Sequence, residues 1–96
     1  MYYDKLGQPM ELFDWARRFN NFDYKRVAKD ILPNGTVIST VWLGMDHGFG
    51  EGKPLIFETM VFLSEADYRE EDIERYSTEE EAKTGHKRMV EKWRNK

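Results

Sequence analysis

Two apolar, β-rich runs joined by a glycine-rich loop constrain this chain more than anything else in it. Residues 36–43 read TVISTVWL and residues 54–63 read PLIFETMVFL. β-branched and aromatic side chains at this density suit a pleated, half-buried surface. Pro33-Asn34-Gly35 precedes the first run, and Asn-Gly between two β-rich runs is a strong hairpin signal. Residues 24–32, YKRVAKDIL, are compatible with helix or strand by propensity, and the hairpin signal makes them an edge strand. Residues 36–43 are then a central strand and residues 54–63 a second one. In the second, Leu55, Phe57, Thr59, Val61 and Leu63 fall on one face, and Ile56, Glu58, Met60 and Phe62 on the other. Both faces are mostly apolar, which predicts at least partial cover on both sides. Glu58 is then a carboxylate among apolar neighbours.

The flanking segments have helical and turn signatures. Residues 2–8 predict a short strand and a tight turn at Gly7. Leu12, Trp15, Ala16 and Phe19 share one helical face, predicting a helix over 11–20 that Asn20-Asn21 ends. Residues 64–71 read as an acidic loop and 72–76, DIERY, as a fourth strand. Ser77-Thr78 before Glu79-Glu80-Glu81 forms a capping box opening a helix that runs to about Arg94. Ala82, His86, Met89, Val90 and Trp93 make one continuous stripe along it. The expected fold is α+β over a single domain, residues 1–96. It has an antiparallel sheet of three to five strands and two helices, the C-terminal helix packed on one sheet face.

Ninety-six residues, 40% apolar and 15% aromatic, supply one core. The net charge of −3 gives no basic footprint for nucleic acid. Residues 65–81 carry a net −7 and residues 82–96 a net +5. Glutamates at a helix start and basic residues near its end complement the helix dipole, which accounts for much of that split. No apolar run nears the roughly 20 residues that span a bilayer, so no membrane partner is expected. The N-terminus lacks the basic-then-apolar pattern of a secretory signal. With no cysteine there is neither a disulfide framework nor a thiolate metal site, which fits a cytoplasmic protein.

No catalytic signature is complete. Asp46-His47, in a loop with Gly48, Gly50 and Gly52, has the residue types of a general base or a metal ligand. Glu58 and His86 are the candidate spatial neighbours. The spacings match no metal motif, and no metal or other cofactor is expected. Gly48-Phe49-Gly50-Glu51-Gly52 leads into a strand, so it is no dinucleotide loop. Phe49 at its tip suits contact with a partner or ligand. Glu58 needs a partner, because an unpaired buried carboxylate is costly. Arg75 is the first candidate, with Tyr76 or His86 second, and a polar pocket between sheet and C-terminal helix is the functional expectation. Gly85, inside a helix, implies a close approach there. The binding candidates are therefore Asp46, His47, Phe49, Glu58, Arg75, Tyr76 and His86, with no catalytic assignment.

Several strings carry a resemblance. They are Trp15-Ala16-Arg17; Ile38-Ser39-Thr40-Val41-Trp42-Leu43-Gly44; Asp46-His47 with Phe49-Gly50; residues 54–62, PLIFETMVF; residues 75–82, RYSTEEEA; and Gly85-His86. Together they resemble a family of small uncharacterised proteins encoded by bacteriophages and prophages, over nearly the whole chain. The resemblance implies a viral or prophage origin and action in the cytoplasm of an infected bacterium. It carries over no catalytic residue. Three functions are expectations. The first is a non-enzymatic accessory module binding a host protein or a small ligand, with counter-defence as one form. The second is a small enzyme or a nucleotide- or metal-binding protein with a site around Asp46, His47, Glu58, Arg75 and His86. The third is a virion or assembly component that forms a homo-oligomer.

Overall fold

The computed structural model describes residues 1–46 and 52–96. Strands β1 (Tyr2–Tyr3) and β2 (Pro9–Met10) form a small hairpin, and helices α1 (Leu12–Phe19) and α2 (Phe22–Lys25) follow. Strands β3 (Arg26–Ile31), β4 (Val37–Trp42), β5 (Phe57–Ser64) and β6 (Asp67–Tyr76) lead to helix α3 (Glu79–Arg94). The last four strands pair in chain order as an antiparallel meander, β3-β4-β5-β6. The molecule is thus α+β as expected, with a second, two-stranded sheet and one short helix added to the predicted plan.

Local chemistry explains the junctions. In the β3–β4 turn Gly35 adopts φ +93°, its N–H reaches Leu32 O, and Asn34 Oδ1 accepts the Thr36 N–H. The Thr78 side chain caps α3 by accepting the Glu81 N–H, while Glu81 accepts the Thr78 N–H. Gly44 has φ +73°, and a Cβ there would lie 2.6 Å from both Trp15 and Trp42. This glycine lets the N-terminal segment seat on the end of β4. Tyr3 N–H donates to Gly44 O, Trp15 Nε1 donates to Leu43 O, and Trp42 Nε1 donates to Tyr3 O.

Helix α3 lies on one face of the meander and divides the core in two. One cluster holds Leu32, Ile38, Val61, Met89 and Val90, with Trp93 packed against it. The other holds Trp42, Ile56, Phe57, Tyr76 and Ala82, flanked by Tyr3, Met10, Trp15, Phe19, Tyr24 and Val27. Between them lie three buried polar residues, Thr40, Thr59 and His86. No buried side-chain nitrogen or oxygen among the described residues lacks a hydrogen-bond partner.

Three expectations change in detail. The strand expected over 24–32 begins at Arg26, because Asn21 caps a helical turn by accepting the Asp23 and Tyr24 N–H groups. The second central strand begins at Phe57, three residues later than its apolar run. The acidic loop expected over 64–71 is largely the start of β6, which runs from Asp67. Solvated charged side chains do not oppose a strand whose backbone pairs with a neighbour, and charge suits an edge. Helix α3 covers one sheet face fully, and the partial cover of the other includes Phe22 and Lys25 of α2 at the rim of an open groove.

The close approach expected at Gly85 is present, since a Cβ there would overlap the ring of Tyr76. That ring is buried and tied to Thr59, so it cannot swing aside. Alanine gains about 1 kcal/mol of helix propensity, but overpacking costs roughly 1–3 kcal/mol and rises when the neighbour is fixed. Gly85→Ala is expected to lower the urea midpoint. An unchanged or higher midpoint shows that Tyr76 yields.

Candidate functional site

The two faces of the meander carry different chemistry. On the α3 face, Thr40 of β4 and Thr59 of β5 are register partners, with their hydroxyls 2.5 Å apart. Tyr76 donates its hydroxyl to Thr59 Oγ1 at 2.9 Å. Thr40 Oγ1 lies 2.7 Å from His86 Nδ1, and His86 Nε2 lies 2.6 Å from Asp30 Oδ2. The hydroxyls of Tyr76, Thr59 and Thr40 thus form a chain that leads to the His86 imidazole and on to the Asp30 carboxylate. An Asp-His-hydroxyl order resembles a nucleophilic relay, but Thr40 is 0% exposed. A substrate carbonyl cannot reach that oxygen without removing α3, so the geometry is that of a closed structural network.

The opposite face is open. Strand alternation places Val37, Ser39 and Val41 of β4 beside Glu58, Met60 and Phe62 of β5. With Phe22, Lys25, Arg26, Lys29, Leu43, Ser64, Glu65 and Tyr68 these line a groove of about 390 Å³. Glu58 lies in its floor, 4% exposed, and accepts from Arg75 Nε at 2.9 Å across the β5–β6 register. Phe62 and Tyr68 meet edge to face, 6.3 Å apart. Lys29 reaches Glu65 only at 3.8 Å. Lys25 sets its ammonium 3.6 Å from the centre of the Phe19 ring, and burial lowers its pKa from the usual lysine value.

These faces separate the residues that the sequence groups into one site. Glu58 and Arg75 pair as expected but face the groove. Tyr76 and His86 lie under α3, so Glu58 takes no part in the polar arrangement between sheet and helix. Asp46 stands at the loop base, where its carboxylate accepts the Leu55 N–H at 2.9 Å. His47 and Phe49 lie outside the described residues. Sequence reasoning misses Asp30, Thr40 and Thr59, because a threonine in a β-rich run reads as a strand former. It also misses the basic wall of Lys25, Arg26 and Lys29. The signal for that wall was the apolar second face of residues 54–63 beside a basic edge strand.

Among the described residues, no group of three His, Asp or Glu side chains is placed to hold a metal ion. Also among them, no helix is long and apolar enough to cross a membrane. Comparison with protein-family models, with curated proteins and with solved structures gave no match.

Two expected outcomes test this partition. Burial raises the Tyr76 phenol to about 12 from an ordinary value of 10.0. The fold therefore holds the neutral phenol, and the stability from Tyr76 is complete below pH 10 and falls between about 10 and 12. A tyrosinate absorbance titration of the wild type minus Tyr76→Phe should show one phenol ionising near the upper end of that window. A difference centred at pH 10 contradicts the buried assignment. Arg75→Met leaves Glu58 buried without its cation and should cost on the order of 1–3 kcal/mol, discounted for the partial exposure of the arginine. Glu58→Gln combined with Arg75→Met should recover much of that loss in chemical unfolding. Strict additivity of the two changes rules out a coupled pair.

Proposed function

We propose that this chain is a non-enzymatic accessory module, of the phage or prophage type, that binds a small ligand on the open face of its sheet. One observation carries the reading: the face left bare by α3 is a concave, half-apolar groove of about 390 Å³. That is within the usual range of small-ligand sites, about 300–1,000 Å³. Its floor of Val41, Met60 and Phe62 offers apolar contact, Ser39 and Glu58 set polar groups in that floor, and the basic wall offers polar contacts at its edge. A concave surface of this size suits a compact guest better than the broad face of a host protein. The His86–Thr40 pair lies buried under α3 instead. Binding without turnover suits sequestration in an infected bacterium, and counter-defence is one use of it.

Ser39 lies in the middle of the groove floor, so Ser39→Trp fills the groove with a residue that strands accept. Native mass spectrometry on protein purified gently from bacterial lysate should show an added mass on the wild type, on the order of a few hundred daltons for a drug-sized guest. The Ser39→Trp protein should be bare. The small-molecule fraction of the same lysate should raise the wild-type melting temperature and leave the variant unchanged. A mass held equally by both proteins places the ligand elsewhere. Bare protein in both cases with no thermal shift overturns the reading.

A further inference from the structure

Resting on that reading, we infer that the ligand is a small amphipathic anion, an apolar body carrying one carboxylate or equivalent acidic head. The argument is the balance of charge inside the groove. Its acids are occupied: Glu58 by Arg75 at 2.9 Å, and Glu65 loosely by Lys29 at 3.8 Å. Its cations are not matched in the same way. The Arg26 guanidinium is exposed and has no carboxylate partner among the described residues. Lys25 has an aromatic ring near its ammonium rather than an acid. Lys29 and Glu65, 3.8 Å apart, balance one another, so the surplus positive charge of the groove comes from Arg26 and Lys25.

Register aligns these groups with the apolar floor. Arg26, Val41, Glu58 and Arg75 occupy one row across the four strands, and Lys29, Ser39 and Met60 occupy another. An anionic head set against Arg26 and Lys29 places its body over Val41, Met60 and Phe62. The chain as a whole carries −3, so this wall runs against the net charge. A wholly apolar guest would leave Arg26 partly desolvated with no compensation. A cationic guest would meet a wall of its own sign.

Two fluorescent probes with nearly the same aromatic body separate head from body: 8-anilinonaphthalene-1-sulfonate and the neutral N-phenyl-1-naphthylamine. In low salt the sulfonate should bind one per chain, at least about tenfold tighter than the neutral probe, the ratio expected for one charge-assisted contact. Arg26→Glu and Lys29→Glu should each shrink that ratio severalfold while leaving the neutral probe's affinity unchanged. Added salt should do the same. Ser39→Trp should abolish both. Both reversed positions are exposed, and a thermal melt of each variant confirms its fold. Equal affinity for the two probes, or a ratio that neither charge reversal moves, overturns the anion and leaves the groove standing. Failure of both probes to bind, or binding that Ser39→Trp does not reduce, overturns the groove as well.

Discussion

The hydrogen-bonded layer of Thr40, Thr59 and His86 is the constraint on which the arrangement of this protein depends. Each of the three elements that meet there contributes one polar group between two apolar ones. Strand β4 gives Ile38, Thr40 and Trp42; β5 gives Val61, Thr59 and Phe57; α3 gives Met89, His86 and Ala82. Apolar clusters alone tolerate sliding, because their contacts are non-directional. A two-residue slip of β5 on β4, or a one-turn slip of α3, would keep apolar groups in contact. It would also bury hydroxyl and imidazole groups without partners, at about 1–3 kcal/mol for each. Asp30 extends the layer to β3 and Tyr76 extends it to β6, so a single network ties all four strands to the helix.

That network also determines which face is left to bind. Alternation along β5 sends Phe57, Thr59 and Val61 toward α3 and sends Glu58, Met60 and Phe62 the other way. With register fixed on the helix side, Glu58 is fixed opposite Arg75 on the bare side. The Glu58–Arg75 pair holds a carboxylate in the floor without leaving it unpaired. It adds a polar point to a surface that would otherwise be flat and apolar. Such a surface on an open sheet invites self-association. Lys25, Arg26 and Lys29 line one side of that surface and give the groove a basic wall.

Much of this was legible in the sequence, and the rest was hidden for identifiable reasons. Period, turn chemistry and caps gave the meander, α3 with its apolar stripe, and the approach at Gly85. Pairing opposite charges on adjacent strands gave Glu58 with Arg75. Spatial grouping of His86 with Glu58 failed, because a single sequence does not say which face of a strand a helix will cover. When both faces are apolar, period-2 alternation alone leaves that choice open. The first half of strand β6 was read as loop because its acids mask an extended backbone. Asp30 gave no sign of reaching His86, since the two are 56 residues apart.

The charge blocks of the sequence also take on a different meaning in the fold. The acids of β6 and the bases of α3 face each other. Asp72 Oδ2 lies 2.6 Å from Lys92 Nζ and accepts from Trp93 Nε1 at 3.0 Å, and Glu74 pairs with Arg88. The Lys92 hydrogen bond holds the Asp72 carboxyl below the usual carboxylate range, so the attraction acts on an ionised acid. Two segments that read as exposed patches of opposite sign therefore neutralise one another in part on the α3 side. Such pairs are individually weak, about 0–1 kcal/mol at the surface. Their larger consequence is for the field around the molecule. With those acids and bases matched, the cations at Lys25 and Arg26, which pair with no carboxylate among the described residues, stand out on a protein of net negative charge. A groove lined that way draws in small anions while the rest of the surface turns them away.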